Sequence, residues 1–169
     1  MTQLRSISRL DLARFQSPSI PGDRSTPVKV LWYMANLVFL QSPLALWPSR
    51  WKVWVLRLFG ARIGRGVVIK PRVTIKSPWF LEIGDHVWLG ECAWIDNHTT
   101  VNIGANSCIS QGAYLCTGNH DWKDPAFSFF CGPIFIGEGV WITAFQRIRP
   151  GSVIPPSVAV VDGRVEAGR

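Results

Sequence analysis

The sequence of 169 residues is poor in the features that mark several common protein classes. Its four cysteines (Cys92, Cys108, Cys116 and Cys131) form no CxxC pair. That excludes a zinc ribbon or a dense disulfide scaffold and fits reduced thiols in a cytosolic protein. No apolar run approaches the roughly 20 residues of a spanning helix, because residues 30–47 are broken by Asn36, Gln41, Ser42 and Pro43. The same stretch begins too late for a secretory signal, and no small-residue cleavage site follows a charged start. Spacings of the RRM, helix-turn-helix or zinc-finger kind are missing, so nucleic acid is not an expected partner. Charged residues make up only 17% against 47% hydrophobic, a globular rather than disordered composition. One domain is the default for this length.

The charge that is present is unevenly placed. Residues 1–72 hold 12 Lys+Arg against 2 Asp+Glu, a net of +10, whereas residues 73–169 hold 6 against 9, a net of −3. A basic N-terminal third suits an anionic membrane surface, a phosphate-bearing ligand or simply a solvated face. Residues 1–27 read as a polar, flexible tail. Residues 28–60 read as two helical runs, "VKVLWYMANLVFL" and "RWKVWVLRLFG", separated by "QSPLALWPSR". In the second run Trp51, Val55 and Leu58 share one face, expected to pack on the main domain. Gly60 is the stop signal. Peripheral membrane contact through residues 28–60 is the alternative use of this aromatic segment.

From Ala61 onward a period of six governs the chain. Large aliphatics recur at Ile63, Ile69 and Ile75, at Ile83, Leu89 and Ile95, at Ile103, Ile109 and Leu115, at Ile136, Ile142 and Ile148, and at Ile154 and Val160. Gly follows the aliphatic at positions 64, 84, 90, 104 and 137, as a tight corner would require. Four residues after ten of these fourteen aliphatics comes a small or β-branched residue, such as Val67, Ala93 or Ser107. Helices repeat at 3.6 residues and lone strands at 2. Two inward positions in six instead fill a three-sided prism of short strands. Trp88, Trp94, Tyr114 and Trp141 fall on outward positions, where a neighbouring subunit or a ligand would cover them.

The segment "IGDHVWLGECAWIDNHTTVNIGANSCISQGAYLCTGNHDW" (83–122) resembles the hexapeptide-repeat acetyltransferases, and within them the colanic-acid-type polysaccharide O-acetyltransferases. The resemblance implies an all-β, left-handed parallel β-helix over 61–169 with a short N-terminal helical segment, a homotrimer with sites between subunits, and acetyl-CoA as co-substrate with no metal. It implies a sugar or lipid-linked oligosaccharide acceptor in exopolysaccharide synthesis; the protein is expected to be cytoplasmic, with peripheral contact at the inner face of the membrane as the alternative.

The period breaks after Leu115, with an inserted loop at 121–132, and function tends to sit in such loops. The resemblance places the catalytic histidine at His120, in phase with the repeat. Imidazole suits a base that takes a hydroxyl proton near neutral pH and returns it to a leaving thiolate. Asp121 and Asp96 are the alternatives for orienting its ring, while His86 and His98 are expected to be exposed. Asn97, Asn119 and Trp122 are candidate acceptor contacts. "GEGVWITA" matches the family's donor corner, which makes Trp141, Thr143 and Ala144 candidates for acetyl-CoA and Arg147 and Arg149 candidate partners of its phosphates. Galactoside-type members carry an active-site Asn where Gly90 stands, so that contact does not transfer.

Two features depart from the family. Gln146 stands at an inward position that should be small and apolar, and "VAVVDGRVEAGR" replaces the expected further coils, as an apparently truncated C-terminus. A catalytically degenerate scaffold or interaction protein is therefore the competing function. A metal-dependent branch of the γ-carbonic-anhydrase kind would need three converging histidines, and His86, His98 and His120 do not match that family's spacing.

Overall fold

In the computed structural model, which describes residues 10–42 and 48–167, the hexapeptide period becomes three parallel sheets around a shared interior. One face stacks Arg62–Ile63, Leu81–Ile83, Val101–Ile103, Ile134–Ile136 and Val153–Ile154. The second carries Val68–Ile69, Trp88–Leu89, Cys108–Ile109, Trp141–Ile142 and Val158–Val161, and the third Thr74–Ile75, Trp94–Asp96, Tyr114–Cys116 and Arg147–Ile148. The fold is a parallel β-helix of the hexapeptide-repeat type.

Register follows the sequence period residue for residue. Ile63, Ile83, Ile103, Ile136 and Ile154 pair in one column, and Ile69, Leu89, Ile109, Ile142 and Val160 in the next. Ile75, Ile95, Leu115 and Ile148 form the third column. All fourteen side chains are buried. Burying each contributes roughly 1.5–3 kcal/mol, and a slip of one residue would turn a whole column outward.

The glycines that follow the aliphatics have a different purpose from the one their phase suggests. None of them has positive φ; a Cβ on Gly84 would instead lie 2.6 Å from the Ala105 nitrogen of the next coil. They are small so that coils can stack. The left-handed corner falls two residues later, at His86 (φ 58°), Cys92 (φ 59°) and Asn106 (φ 58°), directly before the small inward residue. His86 is thus a corner residue.

The first coil has no coil before it, so the carbonyls of its inward residues need donors from elsewhere. Three N-terminal side chains supply them. Arg57 Nε donates to the Ile63 carbonyl (3.1 Å), Lys52 Nζ to the carbonyls of Ile69 and Lys70 (both 3.0 Å), and Trp32 Nε1 to that of Ile75 (2.9 Å). Trp32 belongs to helix α1 (Thr26–Ala35), which continues as a π-helical turn over Asn36–Leu40; Lys52 and Arg57 belong to helix α2 (Ser49–Leu58). Capping, not apolar periodicity alone, sets the orientation of α2. It buries Lys52, Val55 and Leu56 and leaves Trp51 and Leu58 exposed, which overturns the face expected from sequence. Burial pushes the Lys52 ammonium below its ordinary pKa. Residues 43–47 of the expected linker, residues 1–9 of the expected tail and residues 168–169 lie outside the described residues.

At the other end, Val158–Val161 turns back through Asp162 (φ 49°) and Gly163 (φ 72°) and pairs antiparallel with Arg164–Ala167. Two successive positive φ values make this a type I′ turn, for which Asp-Gly is a strong signal. Gln146 Oε1 accepts the Gly163 N–H at 2.7 Å. The residue that looked like a defect in the repeat therefore fastens the closing hairpin.

Candidate active site

His120 sits on a hairpin that leaves the prism earlier than the broken period indicates. Gly118–His120 pairs antiparallel with Phe129–Cys131, joining Gly118 to Cys131 and His120 to Phe129. The out-of-plane excursion starts at Gly118, so His120 is not in phase with the coils. A Cβ on Gly118 would meet the Phe129 ring at 2.5 Å and His98 Cδ2 at 2.8 Å, so the exit needs glycine. Within the loop, Asp121 Oδ1 accepts the Lys123 N–H (2.9 Å), and Asp124 accepts those of Ala126 (2.9 Å) and Ser128 (3.3 Å). These Asx turns carry the chain to Phe127, which adopts φ 53°. The N–H of Ala126 holds the Asp124 carboxyl below its ordinary pKa.

Neither expected aspartate orients His120. Its Nδ1 lies 2.8 Å from the carbonyl oxygen of Phe127. A carbonyl only accepts, so Nδ1 carries the proton and, in the neutral ring, Nε2 keeps the lone pair. The ring also stacks on Phe127 (centroids 4.2 Å, 7°) and meets Phe129 edge-on (5.3 Å) and Phe15 at a tilt (5.3 Å). Residues 10–15 reach this site as part of the described N-terminal segment, and the Asp11 N–H donates to the Pro125 carbonyl. Asp121, engaged in its own turn, is a loop-building residue.

Asp96 anchors a second cluster. Its carboxylate accepts from Lys76 Nζ (2.9 Å) and Tyr114 Oη (2.8 Å). Burial alone would raise its pKa, but the hydrogen bonds of Lys76 and Tyr114 outweigh that and hold it low. Burial beside the carboxylate pushes the Tyr114 phenol upward. His98, expected to be exposed, is half-buried. Its Nε2 lies 2.7 Å from Lys76 Nζ and its ring 4.9 Å from Phe129. Burial, reinforced by the Lys76 ammonium, holds His98 below its ordinary pKa.

Both clusters open on a cleft of about 1370 Å³ whose far wall is the N-terminal segment, through Phe15, Ile20, Val30 and Tyr33. Asn119 lines it, with its Oδ1 accepting the His120 N–H (2.8 Å). Arg147 and Arg149 line it as well, Arg147 over the Tyr114 ring at 5.7 Å. Asn97 is fully buried and spent on the backbone of Ser77, accepting its N–H (3.0 Å) and donating to its carbonyl (2.7 Å). It joins two coils and is not placed to bind a substrate. Trp122 is exposed and takes Lys123 Nζ over its ring at 5.6 Å, outside the cleft lining. Trp141 belongs to the second face and Thr143 and Ala144 to the corner that follows it, also outside that lining. Trp141 donates to Ser110 Oγ (2.8 Å) and Thr143 to the Val160 carbonyl (2.7 Å).

Two relatives named as colanic acid biosynthesis acetyltransferase WcaF, from Escherichia coli (strain K12) and Shigella flexneri, are each 39% identical over 160 residues. The match covers 94% of this chain and 84% of theirs. The chain belongs to the WcaF-type hexapeptide-repeat acetyltransferases. No family model matches it. The fold is also that of the hexapeptide-repeat acetyltransferase VCA0836 from Vibrio cholerae, at TM-score 0.64 and 19% identity, over 82% of this chain and 89% of that one. The form of VCA0836 complexed with acetyl coenzyme A matches at TM-score 0.60, also at 19% identity, over 82% and 85%.

For an acetyltransferase of this family, the sequence reading missed Phe127, Phe15, His98 and Lys76 at the site. The orienting group of His120 is a backbone carbonyl, which no residue type announces. Lys76 and Asp96 stand 20 residues apart and His98 another two, so the coil-to-coil spacing of the repeat was the one available signal for their meeting.

Proposed function

We propose that this acetyltransferase moves the acetyl group of acetyl-CoA to a hydroxyl of a surface-polysaccharide sugar, with His120 as general base. The observation that carries the reading is the Nδ1 bond to the Phe127 carbonyl, which fixes the tautomer whose Nε2 accepts a proton in a ring lining the cleft. Nε2 takes the hydroxyl proton as the oxygen attacks the thioester carbonyl carbon. The tetrahedral intermediate then collapses, the C–S bond breaks, and the imidazolium returns the proton to the departing thiolate. Asn119 is proposed as an acceptor contact, since it lines the cleft beside His120.

The donor belongs against Trp141 of the second face and the Thr143–Ala144 corner beside it. Because the two groups of residues are apart within one chain, the reading needs a second subunit whose second face meets the cleft of the first, as in the homotrimer that the resemblance implies. Trp88 and Trp141, in register through Cys108 and both about half exposed, supply an apolar strip for that contact.

His120→Ala should lower release of CoA thiol, assayed with acetyl-CoA and a glycan acceptor, by about 10²–10⁴-fold, with an unchanged melting temperature. Turnover at the wild-type rate would remove His120 as the base. Stabilisation of the wild type by acetyl-CoA in the same melts separates an enzyme from a degenerate scaffold.

A further inference from the structure

The helices that cap the first coil leave their outer faces uncovered. Leu31, Met34 and Val38 form one stripe of α1 and its continuing turn, at 62%, 55% and 49% exposure. Trp51, Trp54 and Leu58 form an i, i+3, i+7 stripe of α2, with the two indoles edge to face at 6.1 Å. Both helices donate to carbonyls of the same coil, so both stripes lie at the same end of the prism. Single exposed apolar residues need no explanation, but two adjacent short helices carrying ten of them do.

Charge names the occupant. No acidic residue occurs between Asp23 and Glu82, an interval holding ten Lys and Arg. Lys52 and Arg57 are spent on backbone carbonyls, whereas Arg24, Arg50 and Lys70 are exposed and have no acidic partner among the described residues. Arg50 directly precedes the Trp51–Trp54–Leu58 stripe in the chain and is exposed. Trp at an apolar face rimmed by Arg is the chemistry of a helix lying in a bilayer interface. No helix among the described residues is long and apolar enough to cross a membrane.

We propose that α1 and α2 seat the enzyme on an anionic bilayer surface, and that this contact serves acceptors carried on a membrane lipid. Val30 and Tyr33 of α1 line the His120 cleft while Leu31 and Met34 beside them face outward. One helix therefore borders both the bilayer and the site, and brings the cleft mouth to the membrane plane. The purpose assigned to this contact rests on the acyl-transfer reading; the contact itself does not.

The test is co-sedimentation of the full chain with phosphatidylcholine vesicles, with and without phosphatidylglycerol. Binding is expected to the mixed vesicles and to fall about tenfold or more without the anionic lipid or in high salt. Trp54→Glu combined with Leu58→Glu, and separately Leu31→Glu combined with Met34→Glu, should abolish it without changing mass by light scattering. His120→Ala should bind as the wild type does, so loss of the catalytic reading leaves this result intact. Protein that stays in the supernatant with both vesicle types overturns the proposal. So does a Glu variant that sheds subunits, which would show that a second copy of the chain covers this face.

Discussion

The prism and the site hairpin obey different rules, although they adjoin. In the prism each residue's role repeats every coil, so Ile75, Ile95, Leu115 and Ile148 are interchangeable in kind and their stabilities add along one axis. In the hairpin nothing repeats. His120 depends on a carbonyl seven residues ahead, on Phe15 far back in the chain, and on a glycine exit at Gly118. The regular part carries the stability, which leaves the irregular part free to adopt the left-handed backbone at Phe127 that the site needs. Changes in the first region should thus appear in melting curves, and changes in the second, such as His120→Ala, in turnover.

Ile95→Ala tests that division most severely. It removes a fully buried side chain from the centre of a column and should cost about 2–5 kcal/mol in denaturant unfolding. Surviving folded protein should retain near-normal turnover. A large loss of turnover at unchanged stability would mean that prism and site are not separable.

Lys52→Met comes next. It keeps length and apolar stem but withdraws the donor from the carbonyls of Ile69 and Lys70. We expect a loss of about 1–3 kcal/mol, read as a fall in melting temperature. No change would show that water caps the first coil equally well.

The smallest expected effect is that of pH at His98. Burial and Lys76 depress its folded pKa, so the unfolded chain takes up the proton first as pH falls. The stability linked to neutral His98 is whole above the ordinary histidine pKa and is lost progressively below it, whereas Asp96, also depressed, acts only below the ordinary carboxylate range. The wild-type melting temperature should fall more between pH 7 and pH 5 than that of His98→Asn, and parallel curves would remove His98 from the account.

The two ends of the prism show why some of this was legible and some was not. The Asp162–Gly163 turn was readable, since "VAVVDGRVEA" around Asp-Gly is a hairpin pattern, although the repeat before it points to further coils. The α2 face was not readable. Helical periodicity favours Trp51 and Leu58 inward, but backbone carbonyls of a coil distant in sequence made Lys52 the buried residue. Asn97 misled for a related reason, because an amide suited to a sugar hydroxyl is equally suited to bridging two coils.

By itself the sequence determined the β-helix, its columns and its register, because a period of six places equivalent side chains at equivalent corners and each coil repeats the same local chemistry. It also singled out His120, as the histidine where that period fails. Only the tertiary structure decided what holds the imidazole, what walls the cleft, which face of α2 turns inward and how the closing hairpin is tied. Each of those rests on a backbone atom or a long-range contact, and neither leaves a mark on the order of residue types.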